Sequence, residues 1–507
     1  MPSFDLNRPL RIPSRKRIPE ERSKVIASMR EAMARQQWQR AAHLGHHWRQ
    51  SGGRDWQVTV NLAISLCHTK HGTEQDLMLL AGELWKESDH NESAKLGLSE
   101  LLIKMARYED CIALLDQIKL ENPSPRQDWR FTRLKADALA KIGDFAGATA
   151  LLDTQSPESR GWRWHMARAG VASQRSEWQI AEQHYRFILK LQPDYAMAHH
   201  NLGLTLLSQQ QWQEGWQEYE WRRSNPRSNA NGIPKPIPSL DTLHNRSVVV
   251  VGEQGIGDQI MMMRFLPELS DHCRSLVVKV EARLIELFRR ALPPEIQIQD
   301  KKNDRTEPNT TDDVLIGSGS LPLLCGGATA TDPTATAPIQ LKPNPNLVHR
   351  WSEQLKDLAK GKRILGLGWL GGTSNEQQRE RGLNPENIQS LVADQQDYWI
   401  DLQHLHPRWQ HLRSSHGSLC QQLIDNPGRD LDLTLALMAS LHGIVTTRQT
   451  VAHLAGGLGL QGAVLVPTRQ EWRYSQSDGP WAWYPSLQCH NQQDREDWTQ
   501  TIQRVLR

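Results

Sequence analysis

The chain has 507 residues, too many for one ordinary core and enough for two or three domains. With 60 basic against 57 acidic side chains the formal net charge is +3, which argues against nucleic acid as an obligate partner and favours a protein or a small molecule. No apolar run approaches the ~20 residues that span a bilayer; six scattered cysteines form no CxxC pair and 20 histidines include no HExxH spacing, so neither a disulfide framework nor a protein-bound metal is expected.

Residues 1–24 form a basic, proline-punctuated tail without the apolar segment of a secretion signal, so a cytoplasmic location is expected. Residues 25–224 are rich in Ala, Leu, Gln and Trp at helical spacing, and related phrases return: QQWQRAA at 36–42, ARYEDCI at 106–112, GDFAGATA at 143–150, SEWQIAEQHY at 176–185 and QQWQEGWQEY at 210–219. Ala181 and Gly215 are equivalent, as are Tyr185 and Tyr219, and both pairs are offset by 34, the period of the tetratricopeptide helix–turn–helix unit. The last two units carry the clearest pattern, with Leu202, Gly203, Trp212 and Tyr219 at its marked positions, and earlier units match more weakly. Small residues such as Ala148, Ala181 and Gly215 let paired helices approach, while the tryptophans are expected to pack inward between units. Stacked units of this kind present a concave surface suited to an extended peptide or a partner domain.

Residues 225–245 break the helical pattern with prolines, Asn and Ser, and read as a linker. Short apolar strands then alternate with helices. SVVVVGEQ, SLVVKVE, EIQIQD and DDVLIGSG read as strands, with GDQIMMMRFLPEL and ARLIELFRRAL as helices between them. A second series follows, with RILGLGWLGG, DYWIDLQ, GIVTT and GAVLVP as strands and LTLALMASL and TVAHLAGGLG as helices. The predicted fold is therefore an all-α repeat array followed by two doubly wound α/β halves, 246–345 and 346–507, with a ligand cleft at the C-terminal ends of their strands.

The turn GEQGIGDQI offers Gly255 and Gly257 to a dinucleotide fingerprint GxGxxG, and Glu281 after the next strand could serve as its ribose-binding acid. The third glycine is replaced by Ile260, and no GK[ST] follows, so a P-loop is excluded.

Six stretches in order give a more specific reading: GEQGIGDQIMMMRFLPEL at 252–269, SGSLPLLCG at 318–326, RILGLGWLGG followed by RERGL at 379–383, IDLQ at 400–403, TVAHLAGGLG at 450–459 and EWRYSQSDGPWAWYPSLQ at 471–488. Over roughly residues 190–507 the chain resembles bacterial tetratricopeptide-repeat glycosyltransferases, whose catalytic region is similar to the lipopolysaccharide heptosyltransferases and has the two-Rossmann glycosyltransferase-B architecture. The resemblance implies an inverting, metal-independent transferase that uses a nucleotide sugar as substrate and needs no cofactor. It implies that Asp258 is the general base on the acceptor hydroxyl; the plainer alternative is that Asp258 complements the positive end of its helix, worth about 0.3–1 kcal/mol. On the donor side it implies that the Thr450 and Val451 amides and His453 meet the nucleotide diphosphate, that Arg381 neutralises the departing diphosphate, and that Gln403 contacts the nucleoside. The chain departs from the family where an aspartate normally precedes the TxxHLAG threonine: it reads TTRQT, with Arg448 and Gln449 there. An added cation could strengthen diphosphate binding or mark an altered or lost activity.

The expected function is transfer of a sugar from a nucleotide donor to an acceptor, expected to be a protein bound with help from the repeats, because an array of about two hundred residues offers far more surface than a sugar needs. Self-association through the array is the alternative use. Two other functions remain open: a non-catalytic repeat scaffold, for which TTRQT speaks, and an NAD-dependent oxidoreductase, which rests on GxG and Glu281.

Overall fold

The computed structural model describes residues 18–69, 73–88, 91–118, 123–156, 160–225, 239–302, 313–325, 332, 336–372, 377, 381–393, 396–404, 420–469, 471–493 and 498–506. Most of the tail and of the linker, and residues 379 and 380 of RERGL, lie outside them.

Among the described residues twelve α-helices come first: α1 (Ile18–Ala34), α2 (Trp38–Gln50), α3 (Trp56–Cys67), α4 (Glu74–Ser88), α5 (Glu92–Lys104), α6 (Tyr108–Asp116), α7 (Pro125–Lys141), α8 (Phe145–Asp153), α9 (Trp162–Gln174), α10 (Trp178–Leu191), α11 (Ala196–Ser208) and α12 (Trp212–Tyr219). The first helix thus begins inside the stretch expected to be tail. The repeated phrases have a backbone cause. Gln36, Ala106, Gly143, Ser176 and Gln210 all adopt positive φ, between 56° and 80°, and each stands two residues before the aromatic that opens the next helix. The amide that follows each of them, on Gln37, Arg107, Asp144, Glu177 or Gln211, donates to the carbonyl five residues back at 2.7–2.9 Å, on Ala32, Leu102, Leu139, Ala172 or Leu206 respectively. This six-to-one bond closes each first helix with a left-handed residue and turns the chain directly into its partner. Glycine fills that position once, and the other four occupants bear the modest strain of a left-handed side chain.

The chain forms two compact units, one ending at Val171 and the other beginning at Ala172, so α10–α12 belong with the α/β halves. In the second unit α11 and α12 approach so closely that a Cβ on Gly203 would lie 2.5 Å from the Tyr219 amide nitrogen. After α12 a single 3-10 turn, Glu220–Arg223, carries Arg222 into the interior. There Arg222 donates to Glu220 Oε1 at 2.6 Å, Glu253 Oε2 at 2.9 Å and the Ser320 hydroxyl at 2.7 Å, while Glu253 Oε2 also accepts from the Gly319 amide at 2.6 Å. A buried guanidinium with two carboxylate partners ties the last repeat to the first α/β half. The boundary expected near residue 224 is therefore crossed by this charge network.

The first half contains β1 (Ser247–Val251), α13 (Ile256–Met262), α14 (Leu266–Asp271), β2 (Ser275–Val280), α15 (Ile285–Ala291), β3 (Gln297–Asp300), β4 (Asp313–Gly317) and α16 (Leu321–Cys325); the helix that follows, α17 (Pro345–Ala359), already packs on the second half. Its strands pair in parallel in the order β3-β2-β1-β4, with Val249 opposite Val277 and Leu315. The single helix expected over GDQIMMMRFLPEL is interrupted at Met263–Phe265 by a 3-10 turn, because Pro267 lacks an amide hydrogen and its ring crowds the carbonyl four residues back.

The second half contains β5 (Arg363–Gly368), α18 (Pro385–Val392), β6 (Asp397–Asp401), α19 (Leu431–Met438), β7 (Gly443–Thr447), α20 (Thr450–Leu458), β8 (Gly462–Val466), β9 (Gly479–Trp481), β10 (Tyr484–Asn491) and α21 (Trp498–Val505). The sheet order is β6-β5-β7-β8-β10-β9, parallel except for the edge pair β10–β9. The segment 471–488, read only as a motif, supplies β9 and part of β10 and so completes this sheet. Among the described residues no helix is long and apolar enough to cross a membrane. The predicted class, helical repeats followed by two parallel α/β halves, is the observed one.

Candidate functional site

A cleft of about 510 Å³ lies between the two halves, and its walls are the loops that leave the C-terminal ends of the strands. Gly255, Gly257 and Asp258 follow β1; Leu370 and Gly372 follow β5; Leu402 and His404 follow β6; Arg448 to Val451 and His453 follow β7; Glu471, Arg473 and Tyr474 follow β8. Each sheet reverses its strand order here, between β1 and β4 and between β5 and β7, the position where parallel sheets open a crevice.

Of the residues singled out from sequence, Gly255, Gly257, Asp258, Arg381, Thr450, Val451 and His453 are brought together in this one cleft. Gly257 lies against the second half: a Cβ there would meet His453 Cδ2 at 2.4 Å and Nε2 at 2.7 Å. The glycine is needed for close approach of α13 to α20. Asp258 stands in the first turn of α13, as the helix-terminus reading requires, yet its carboxylate also accepts a hydrogen bond from Arg473 Nε across the cleft. Arg473 donates through Nη2 to Gln254 Oε1, and Gln254 Nε2 donates in turn to the Tyr219 hydroxyl of α12. The guanidinium also stacks 4.6 Å above Trp472, which meets Trp216 of α12 edge-on at 5.1 Å. The last repeat thus reaches the candidate base through two intervening side chains.

Opposite Asp258, no side chain caps the N-terminus of α20, and Thr450 and Val451, its first two residues, face the cleft. Such a terminus directs free amides and a partial positive charge at an anion. The His453 imidazole is 4% exposed and enclosed by Tyr474, Trp481 and Tyr484, at centroid distances of 6.2, 5.3 and 5.7 Å. Burial pushes its pKa down to about 4, against the opposing pull of Asp258, so the ring is neutral near pH 7 and donates from only one nitrogen.

Four arginines line the cleft, Arg283, Arg381, Arg448 and Arg473, against the two carboxylates Asp258 and Glu471. Glu471 receives Arg381 Nη2 at 2.7 Å, with Arg473 Nη1 at 3.7 Å and Arg448 Nη2 at 3.8 Å. Burial works to raise its pKa, but Arg448, Arg381, Arg473 and Arg469 outweigh that and hold the carboxyl at about 2. Arg448, the departure noted in TTRQT, has its side chain buried, with Nη1 donating to the Arg469 carbonyl at 2.9 Å and the guanidinium 5.7 Å from the Tyr474 ring.

Gln403 is placed differently from the expected nucleoside contact. It is 1% exposed and does not line the cleft. Its Oε1 accepts from the Trp369 and Leu370 amides at 2.9 and 2.7 Å, and its Nε2 donates to the Leu370 and His404 carbonyls at 2.9 and 2.6 Å. The side chain braces the loops after β5 and β6, whose other residues form the wall. Glu281, the acid that a dinucleotide site would need, instead forms an ion pair with Lys301 at 2.7 Å and is absent from the cleft. Glu471 and Arg473 were not assigned roles from sequence; the alternation of charged and aromatic residues in EWRY was the available signal.

The tetratricopeptide repeat family matches residues 78–130, in the middle of the array, although the motif residues are clearest in its last two units. Protein FlbA of Caulobacter vibrioides is 25% identical over 430 residues, covering 80% of this chain and 70% of that protein. Among solved structures, a family 9 glycosyl transferase from Veillonella parvula aligns with a TM-score of 0.37 and 11% identity, over 54% of this chain and 92% of that one. The dodecameric glycosyltransferase TibC from enterotoxigenic E. coli aligns at 0.32 and 12% over 48% and 67%, and an O-GlcNAc transferase mutant from Thermobaculum terrenum at 0.28 and 14% over 82% and 83%.

Proposed function

We propose that the protein is a glycosyltransferase that moves a sugar from a nucleoside-diphosphate donor to an acceptor hydroxyl in the cleft between its α/β halves. The observation that carries this reading is the pairing of an uncapped helix N-terminus and three arginines, Arg381, Arg448 and Arg473, with a carboxylate, Asp258, on the facing wall. A volume of about 510 Å³ suits a ligand of nucleotide size. Asp258 takes the proton of the acceptor hydroxyl as its oxygen attacks the anomeric carbon. The bond from that carbon to the diphosphate breaks on the opposite side, with inversion. The charge that develops on the departing diphosphate is met by the Thr450 and Val451 amides and the arginines, so the chain itself supplies the positive field that such a step requires. His453 contributes a neutral hydrogen-bond donor. The acceptor is a protein read by the repeats, and the reaction belongs to the cytoplasm.

Thermal shift of the full chain with a panel of nucleoside diphosphates, nucleotide sugars and nicotinamide dinucleotide tests the reading. Stabilisation by one nucleoside diphosphate and its sugar conjugate is expected; stabilisation by none of them, or by nicotinamide dinucleotide alone, removes it. The Arg473–Asp258 pair favours one second reading, a scaffold whose α/β part binds a nucleotide sugar without turning it over. Donor binding with no transfer and no donor hydrolysis would select it.

A further inference from the structure

Arg381, Arg448 and Arg473 converge on the single carboxylate of Glu471, but only Arg381 makes a close hydrogen bond to it, at 2.7 Å; the other two stand at 3.8 and 3.7 Å. One carboxylate therefore satisfies one guanidinium and tethers two more at a distance. Arg381 Nε is buried without a hydrogen-bond partner among the described residues. The Thr450 and Val451 amides lie on the same cleft wall. This donor set exceeds what Glu471 can use. A diphosphate, with more charge and several acceptor oxygens, could give each guanidinium an oxygen of its own.

We infer that Glu471 is an internal competitor for the arginine cluster: a diphosphate must displace its carboxylate, and in doing so draws Arg473 off Asp258. The inference rests on the reading of this cleft as a diphosphate site. The Glu471 side chain is 31% exposed, so it can turn toward solvent without moving the sheet behind it. Its low pKa, about 2, keeps it charged and competing at every working pH. Arg473 uses Nε on Asp258 and Nη2 on Gln254, which leaves Nη1 directed toward Glu471. A phosphate arriving at the position of Glu471 therefore meets Nη1 first. As the guanidinium turns to it, Asp258 loses the hydrogen bond that occupies its carboxylate, and that oxygen is free to accept from the acceptor hydroxyl. Base exposure then follows donor occupancy, and the protein avoids presenting an active base to an unfilled cleft.

The alternative is that Glu471 pins the arginines in a receptive arrangement, and the two predict opposite signs. Glu471→Gln removes the charge at nearly constant shape. Calorimetric titration of the full chain with inorganic pyrophosphate, and then with the nucleoside diphosphate panel, should show affinity rising by roughly tenfold in the variant, the scale of one charge interaction in a partly solvated site. Lower affinity, unchanged affinity, or no pyrophosphate binding by either form overturns the inference. If E471Q does not fold, Glu471→Asp, which keeps the charge but shortens the reach to Arg381, should show a smaller gain, and a loss or no change overturns the inference equally. Failure of the glycosyltransferase reading is visible separately: nucleoside diphosphates would bind no more tightly than pyrophosphate in either form, while the effect of E471Q on pyrophosphate still decides the competitor role.

Discussion

Gly257 and His453 are in contact across the two α/β halves, so close that a methyl group on Gly257 would lie 2.4 Å from the imidazole. The glycine turn that resembles a phosphate-binding fingerprint is therefore a packing device here, since its missing side chain lets α13 rest on α20. Gly257→Ala should push the halves apart, lower stability by about 1–3 kcal/mol as overpacking does, and weaken nucleoside diphosphate binding. Gly255→Ala is the internal control, because its Cβ would find only Asp258 Oδ2 at 3.5 Å, an ordinary contact. Equal denaturant midpoints and equal affinities for the two variants would remove the close contact from the account.

Asp258 is the carboxylate of the first-half wall. Asp258→Asn should keep nucleoside diphosphate binding or tighten it, because Arg473 is released to the ligand, and should cut sugar transfer by at least the ~10²-fold typical of a general base. Donor titration and acceptor turnover on the same preparation separate the two effects. Near-normal turnover would show that the carboxylate serves only the helix terminus and Arg473.

Much of this site was legible because chain-local signals produced it. The apolar run before GIGD forms β1, the residues after GIVTT open α20, and both places lie at strand ends, where the parallel-sheet rule puts a ligand. The aromatic phrases of the repeats were legible for a similar reason, since each marks one left-handed turn. Gln403 was misplaced by one step of alternation: Leu402 and His404 line the cleft, while the residue between them points into the loops and is consumed there. The partners of Asp258 were not legible. Arg473 is 215 positions away in sequence, and nothing within either local pattern links a carboxylate after β1 to a guanidinium after β8. The same holds for Arg222, which reads as one more surface arginine at a repeat end until Glu253, 31 residues on, is seen beside it.

His453 makes stability depend on pH in a definite direction. Its folded-state pKa of about 4 lies below the ordinary 6.5, so between those values the unfolded chain binds a proton that the folded chain refuses. The contribution is complete above about pH 6.5 and is lost toward pH 4, at up to about 1.4 kcal/mol per unit. His200, also lowered to about 4 by burial and by Arg222 and Arg473, adds a second loss of the same sign. Wild-type protein should therefore melt at lower temperature at pH 5 than at pH 7. His453→Gln should show a smaller difference between the two pH values, with the remaining slope left to His200 and others. An unchanged difference in the variant would mean that His453 titrates alike in both states.

The last prediction concerns where the chain can be cut. The composition break at 225–245 invites a fragment of residues 240–507, which keeps both sheets and every residue that lines the cleft. That cut removes Arg222, whose guanidinium is fully buried against Glu253 and Ser320, and it removes Tyr219 and Trp216, which support Gln254 and Trp472. Glu253 would remain, its side chain 1% exposed, with its cation gone. Leaving one partner of a buried pair uncompensated costs about 3–5 kcal/mol, a large share of the stability of an ordinary domain. A fragment of residues 172–507 keeps α10–α12 and the whole charge network, and it coincides with the second compact unit. It should be soluble, unfold cooperatively and bind the same nucleoside diphosphate as the full chain, whereas 240–507 should aggregate or melt far lower. Arg222→Met in the full chain gives the same comparison without truncation, and pairing it with Glu253→Gln should recover part of the loss, because the orphaned charge is then removed as well. If 240–507 folds and binds nucleotide as tightly as 172–507, the last repeat is a neighbour of the α/β halves and no part of their core.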